Sequence, residues 1–329
     1  MAPSQASVAS KYPGPFRAEF LSPRFWPTWA ALGLLWLMSW LPRPVRHGIG
    51  RRAGLLMHRF NDKRRGISSI NLQLCFPEKS DSERDSMVRE CFCMLGQSVL
   101  DYGVFWWRSS AYLERLIRLE GLEHVQRELD AGRGVVLLVT HSLFLDAGGL
   151  AISRKIPVVG MFNRAKNPLV DWFIARGRIR FAGGGLISRE EGLRPGIRAL
   201  RAGISFYYLA DEDLGAEHSR FVPFFGIPRA TITALPRLAK VSKAAVVPLT
   251  SYWDREKKCY VAKCLPALEN YPSGEEEADL KRMSAANEAL IKLAPEQYMW
   301  QFRLFKTRPQ GEVSPYQGLR RGQYTRKDS

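Results

Sequence analysis

The residues best placed to do chemistry lie in Gly134-Val-Val-Leu-Leu-Val-Thr-His141-Ser-Leu-Phe-Leu-Asp146. The uninterrupted apolar run reads as a buried strand ending at Thr140, so His141 emerges at a strand's carboxyl end, where open α/β sheets place their ligands. Asp146 follows five residues later. In one continuous helix that spacing would set the two about 140° apart. With His141 in a turn and Asp146 on the first turn of the next helix, the two can meet. The carboxylate would then hold one imidazole nitrogen and leave the other to take a proton from a hydroxyl. The sequence contains no G-x-S-x-G elbow, P-loop or complete G-x-G-x-x-G, so the usual marks of a serine hydrolase, an NTPase and a dinucleotide-binding dehydrogenase are missing. Gly132-Arg133-Gly134 reads as the turn entering the strand. A general base without a protein nucleophile points to direct transfer between two bound substrates.

Elements must position these residues, and the sequence suggests which. Short apolar runs at 135–139, 156–159, 204–209 and 244–249 read as buried strands. The stretches 143–154, 168–177, 192–202 and 229–242 suit helices, as do residues 83–120 with their heavy aromatic load. The alternation predicts an α/β fold, a central mixed sheet with helices on both faces. No repeat or linker divides residues 45–305, so residues 45–310 are expected to be one catalytic domain, followed by a basic polar tail at 311–329 ending in Arg320, Arg321, Arg326 and Lys327.

Residues 1–44 read differently. Phe25 to Leu41 is a seventeen-residue run without a charge, bordered by Trp26, Trp29, Trp36 and Trp40 and flanked by Arg24 and Arg43. As a helix it would reach about 25 Å, short of the roughly 20 residues that cross a bilayer, but tryptophan at both ends favours a headgroup interface. An N-terminal hydrophobic membrane helix is the expectation. Residues 1–66 carry eleven Lys or Arg against two acids, a local excess of +9 that suits an anionic leaflet and places the rest of the chain on the cytoplasmic side.

The 329 residues are 46% hydrophobic and 11% aromatic, which excludes a disordered chain. With 49 Lys plus Arg against 32 Asp plus Glu, the formal charge of +17 asks for an anionic partner. A basic nucleic-acid-binding protein would share that charge, but it explains neither the tryptophan-bordered run nor the His-Asp pair, and no nucleic-acid-binding motif is visible. No nucleic-acid partner is expected. Cys75, Cys91, Cys93, Cys259 and Cys264 are scattered and odd in number, so they read as packing thiols of a reducing compartment rather than a disulfide framework. Neither a metal nor a cofactor is expected.

Several blocks together resemble the late acyltransferases of lipid A biosynthesis, a lauroyl and myristoyl transferase family within the H-x4-D/E lysophospholipid acyltransferase group. These are Pro23-Arg-Phe-Trp-Pro-Thr-Trp29, Asn71-Leu-Gln-Leu-Cys-Phe-Pro-Glu78, His141 to Asp146, Asn167-Pro-Leu-Val-Asp-Trp172, Ala210-Asp-Glu-Asp-Leu-Gly215, Phe221-Val-Pro-Phe-Phe-Gly226 and Ala294-Pro-Glu-Gln-Tyr-Met-Trp300 through Phe305-Lys-Thr-Arg-Pro309. The resemblance implies a glycerol-phosphate acyltransferase-like fold at the inner membrane. It also implies transfer of a fatty acyl chain from an acyl carrier protein thioester to a 3-hydroxyacyl hydroxyl of a Kdo-bearing lipid A precursor. Another lysophospholipid or glycolipid acceptor is the alternative within the same class.

By the same resemblance His141 is the base and Asp146 its partner. Arg178, Asp211 and Asp213 fall at or within functional blocks, with Arg178 suited to a phosphate or the thioester oxyanion. Asn163 stands where some members place an arginine, which moves the arginine of that block to Arg164; both are candidate substrate contacts. Backbone amides at the helix start after His141 are candidate oxyanion donors. Residues 151–201 hold eleven basic residues against three acids, a local excess of +8 that would attract an acidic carrier protein and a phosphorylated lipid.

Overall fold

A computed structural model describes residues 12–181 and 185–319. After two short 3-10 turns come α1 (Trp26–Trp40), α2 (Arg43–Phe60), α3 (Asp62–Cys75), α4 (Asp81–Trp107) and α5 (Ser110–Leu116). The alternating part runs β1 (Ile117–Glu120), α6 (Leu122–Asp130), β2 (Val135–Val139), α7 (Leu145–Ser153), β3 (Val158–Phe162), α8 (Pro168–Arg178), β4 (Gly185–Ser188), α9 (Arg194–Arg201) and β5 (Ser205–Leu209). A hairpin of β6 (Ser219–Phe224) and β7 (Ile227–Ile232) follows, then α10 (Ala234–Ser242), β8 (Ala245–Asp254), β9 (Cys259–Cys264) and α11 (Glu276–Lys292).

Seven strands form one sheet in the order β1-β9-β8-β2-β5-β3-β4, parallel throughout except for the antiparallel β8–β9 pair, while β6 and β7 pair only with each other. The centre is β2, whose five residues Val-Val-Leu-Leu-Val are all buried. The strand period of two sends Val135, Leu137 and Val139 into one core with Phe92 of α4 and Leu150 of α7. Val136 and Leu138 enter the opposite core with Leu200, Leu238 and Met283 of α9, α10 and α11. The expected mixed sheet with helices on both faces is therefore present.

Two local readings need correction. Residues 229–242 are not one helix, because Ile227–Ile232 is strand β7 and α10 begins only at Ala234. Residues 83–120 break at Arg108, whose backbone is extended (ψ 152°), and Ser109 then caps α5. Strands β1, β4, β6, β7 and β9 lie outside the runs the sequence marked.

The apolar N-terminal run also needs correction. Among the described residues no helix is long and apolar enough to cross a membrane. Helix α1 has 15 residues and stops because Leu41, extended at ψ 146°, precedes Pro42. It lies against the body of the protein instead. Gly103 of α4 sits so close that an added Cβ would come within 2.4 Å of the Leu35 carbonyl, and Asn167 at the start of α8 donates to Thr28 at 2.9 Å. Phe20, Phe25 and Leu32 share a buried cluster with Leu169. Helix α2 packs as closely on α4, where a Cβ on Gly54 would meet the Phe92 carbonyl at 2.1 Å. The outward face stays apolar: Trp26, Leu34, Trp36, Leu37 and Trp40 on α1 and Val45, Ile49, Leu56 and Phe60 on α2 are exposed.

All five cysteines are free and buried. Burial raises the thiols of Cys91 and Cys264 to about 12, so they pack as neutral groups. The basic tail from residue 320 onward lies outside the described residues.

Candidate active site

The parallel register of β2 and β5 sets Val139 opposite Leu209. Two residues further along each chain stand His141 and Asp211, which therefore leave the sheet side by side. The His141 ring Nδ1 lies 2.6 Å from Asp211 Oδ1, and the His141 backbone N–H donates to Asp211 Oδ2 at 2.7 Å. Asp211 is fully buried.

The turn carrying His141 is clamped from two sides. Its carbonyl accepts from Met299 N–H at 3.0 Å, Ser142 bridges Tyr298, and Leu143 N–H donates to the Gln297 carbonyl at 2.8 Å. On the other side Ser142 Oγ donates to the Ser251 carbonyl, and Ser251 Oγ donates to the Phe144 carbonyl at 2.7 Å. The edge of Phe302 rests on the imidazole with ring centroids 5.0 Å apart. The C-terminal block around Tyr298 is thus a brace for the histidine turn.

Asp146 does not hold His141, contrary to the sequence reading. It sits on the first turn of α7 and accepts from Arg178 Nε at 2.6 Å and Nη2 at 3.2 Å, a bidentate pair. Arg178 ends α8, whose start is fixed by Pro168 and by the Asn167 side chain accepting from the Leu169 and Val170 amides. Tyr102 and Tyr207 press against this pair, and their phenols are pushed up by burial and then by the Asp146 charge. The Tyr207 hydroxyl donates to the Leu145 carbonyl at 2.8 Å, pinning the first turn of α7.

His141, Asp146, Arg178 and Asn163 line one cavity of about 760 Å³, within the roughly 300–1,000 Å³ typical of ligand clefts. Its walls are largely apolar, including Leu150, Met161, Leu186, Ile197, Leu238 and Val241. Asp213 and Arg164 are elsewhere. Asp213 accepts from Thr307 N–H at 2.7 Å and Thr307 Oγ1 at 2.8 Å, anchoring the C-terminal segment. The Arg164 guanidinium lies over the Tyr12 ring at 5.2 Å. Glu212 was missed, although it stands between Asp211 and Asp213. Its Oε1 is 3.7 Å from His141 Nε2, and its other oxygen accepts from Arg189 at 3.2 Å.

The electrostatics suit a base held by a buried anion. Burial alone would lower His141, but the charge and hydrogen bond of Asp211, helped by Glu212 and opposed by Arg178, raise it above the ordinary histidine value. Burial alone would raise Asp211, and His141, its backbone amide and Arg229 instead hold it below the usual carboxylate range. With Nδ1 committed to Asp211, Nε2 is the nitrogen that faces the cavity.

The chain matches the family described as bacterial lipid A biosynthesis acyltransferase over residues 14–307. It is 36% identical to a lipid A biosynthesis lauroyltransferase of Escherichia coli over 302 residues, covering 92% of this chain and 98% of that protein. A palmitoleoyltransferase of the same organism is 35% identical with the same coverage. A lipid A biosynthesis acyltransferase of Haemophilus influenzae is 33% identical, covering 92% of this chain and 94% of the other. The matched span takes in the histidine turn, its aspartate, the arginine-held carboxylate and the C-terminal brace, and the chain belongs to the bacterial lipid A biosynthesis acyltransferase family.

Proposed function

We propose that the chain transfers a fatty acyl group from an acyl carrier protein thioester to the hydroxyl of a 3-hydroxyacyl chain on a Kdo-bearing lipid A precursor. The observation that carries the chemistry is the His141 ring, its Nδ1 held by buried Asp211 and its Nε2 turned to a large apolar cavity. Neutral Nε2 takes the acceptor hydroxyl proton as that oxygen attacks the thioester carbonyl. When the tetrahedral intermediate collapses, the C–S bond breaks and the imidazolium returns the proton to the departing sulfur. The apolar walls would take the acyl chain. Arg178, fixed by Asp146, and Asn163 would meet the polar part of a substrate. The test is transfer from a series of acyl carrier protein thioesters, read by mass. A lipid A precursor heavier by one acyl group supports the reading. An unchanged precursor beside an acylated lysophosphatidic acid would overturn the acceptor.

The exposed apolar faces of α1 and α2 give a membrane-surface reading of residues 1–44 and the helix that follows, with residues 45–310 as the catalytic body. Exposed Arg24, Arg52 and Arg59 stand within or next to these helices. A basic, tryptophan-containing apolar face of this kind lies in the headgroup region rather than through it. Bound so, the enzyme would sit on the cytoplasmic side of the inner membrane. Leu34→Asp with Leu37→Asp should weaken binding to phosphatidylglycerol vesicles at least about tenfold, because each apolar side chain inserted is worth about 1.5–3 kcal/mol. Undiminished vesicle binding in sedimentation would count against this orientation.

A further inference from the structure

Arg229 on β7 is fully buried, and none of its three guanidinium nitrogens has a hydrogen-bond partner among the described residues. The Phe224 ring covers the guanidinium, with Cζ 3.7 Å from the centroid. An arginine cannot shed its charge, so an unneutralised one in the interior is costly and needs a nearby anion to offset it. The acidic groups whose charge acts on it are Asp211 and Asp213, together with the hydroxyl of Tyr298 and the thiol of Cys75. Asp213 already has three hydrogen bonds, from Thr307 and Gly215. Asp211 takes its hydrogen bonds from His141, through ring and backbone, and the buried hydroxyl of Tyr298 also faces it. Arg229 is not among the residues that line the cavity.

We propose that Arg229 is a positioning residue that keeps Asp211 anionic while His141 is neutral, so that the imidazole can serve as a base near neutral pH. The inference rests on the reading of His141 as the base. A base must start uncharged, yet a buried carboxylate offset by no cation but that imidazole would favour the imidazolium and hold the proton on it. A second, permanent cation behind the carboxylate removes that demand. Other charges on the imidazole are accounted for: Glu212 faces Nε2 and is itself held by Arg189, and Arg178 acts from the α8 side while bound to Asp146.

The test is the pH dependence of kcat/KM. In Arg229→Met the limb on which activity rises with pH should move upward by about one unit or more, the shift expected when an opposite charge beside a carboxylate is lost, and the plateau at high pH should stay near that of the unchanged protein. Arg229→Lys, which keeps the charge, should leave the limb in place. If Arg229→Met fails to fold, Arg229→Gln is read in the same way. A limb that does not move, or that moves equally in the lysine variant, overturns the proposal. The two readings separate cleanly. A protein whose unchanged form shows no such limb defeats the base assignment, whereas a limb present but indifferent to Arg229 defeats only this inference.

Discussion

His141→Ala should lower the rate of acyl transfer by about 10²–10⁴-fold, the contribution of a positioned general base, while the protein remains folded and able to bind vesicles. The ring is the only group of the His141–Asp211 pair that reaches the cavity, so its removal leaves the acceptor hydroxyl without the imidazole that Asp211 holds in place. Folding should suffer modestly. Asp211 keeps the backbone N–H of residue 141 and the charge of Arg229, and losing one hydrogen-bond partner of a buried group costs about 1–3 kcal/mol. The turn itself is held by backbone bonds to Gln297 and Met299, which the substitution leaves intact. Single-turnover transfer and a thermal melt check the two parts together. Retention of activity within tenfold in a folded variant would remove His141 from the chemistry.

How far the sequence carried this reading depended on whether a feature was local. Strand β2 was legible residue for residue because five consecutive apolar side chains have no other home than a sheet covered on both faces. Helices α7, α8 and α9 were legible from the polar stretches between such runs. The hairpin was not. Ile227–Ile232 buries three consecutive residues, Arg229 to Thr231, and so lacks the alternation that marks a half-exposed strand. The partner of His141 was obscured for a related reason. Spacing along one segment brings Asp146 to mind, but the pairing is made across neighbouring strands, and it follows from the Val139–Leu209 register, which local sequence does not disclose. Arg229 is one of 49 Lys and Arg residues, and what sets it apart, burial with no hydrogen bond on its guanidinium among the described residues, belongs to the fold and not to its local sequence. The N-terminal run was legible as an apolar, tryptophan-bordered helix, whereas its length was set by the chain turning extended at Leu41 before Pro42.

Exchanging the two carboxylates for amides should therefore give two different enzymes. In Asp211→Asn the imidazole loses the anion that fixes its Nδ1 proton, and the amide can present its own N–H to that nitrogen, favouring the wrong tautomer. The plateau rate should fall by about 10²–10⁴-fold. The pH profile should move as well, and its direction is set. Asp211 is what raises His141 above its ordinary value, against burial, which lowers it. The base form of the unchanged enzyme is therefore gained as pH rises through that elevated value, and without Asp211 burial dominates and the limb should shift to lower pH. Asp146→Asn acts elsewhere. It leaves the His141–Asp211 pair untouched and strips the guanidinium of Arg178 of its bidentate partner, at a cost of about 3 kcal/mol for breaking a largely buried ion pair from one side. That loss should appear as a lower melting temperature and a raised KM for the lipid acceptor, with the pH limb where it was. A pH limb displaced by Asp146→Asn and unmoved by Asp211→Asn would restore the pairing that spacing suggested and reject the one the strand register imposes.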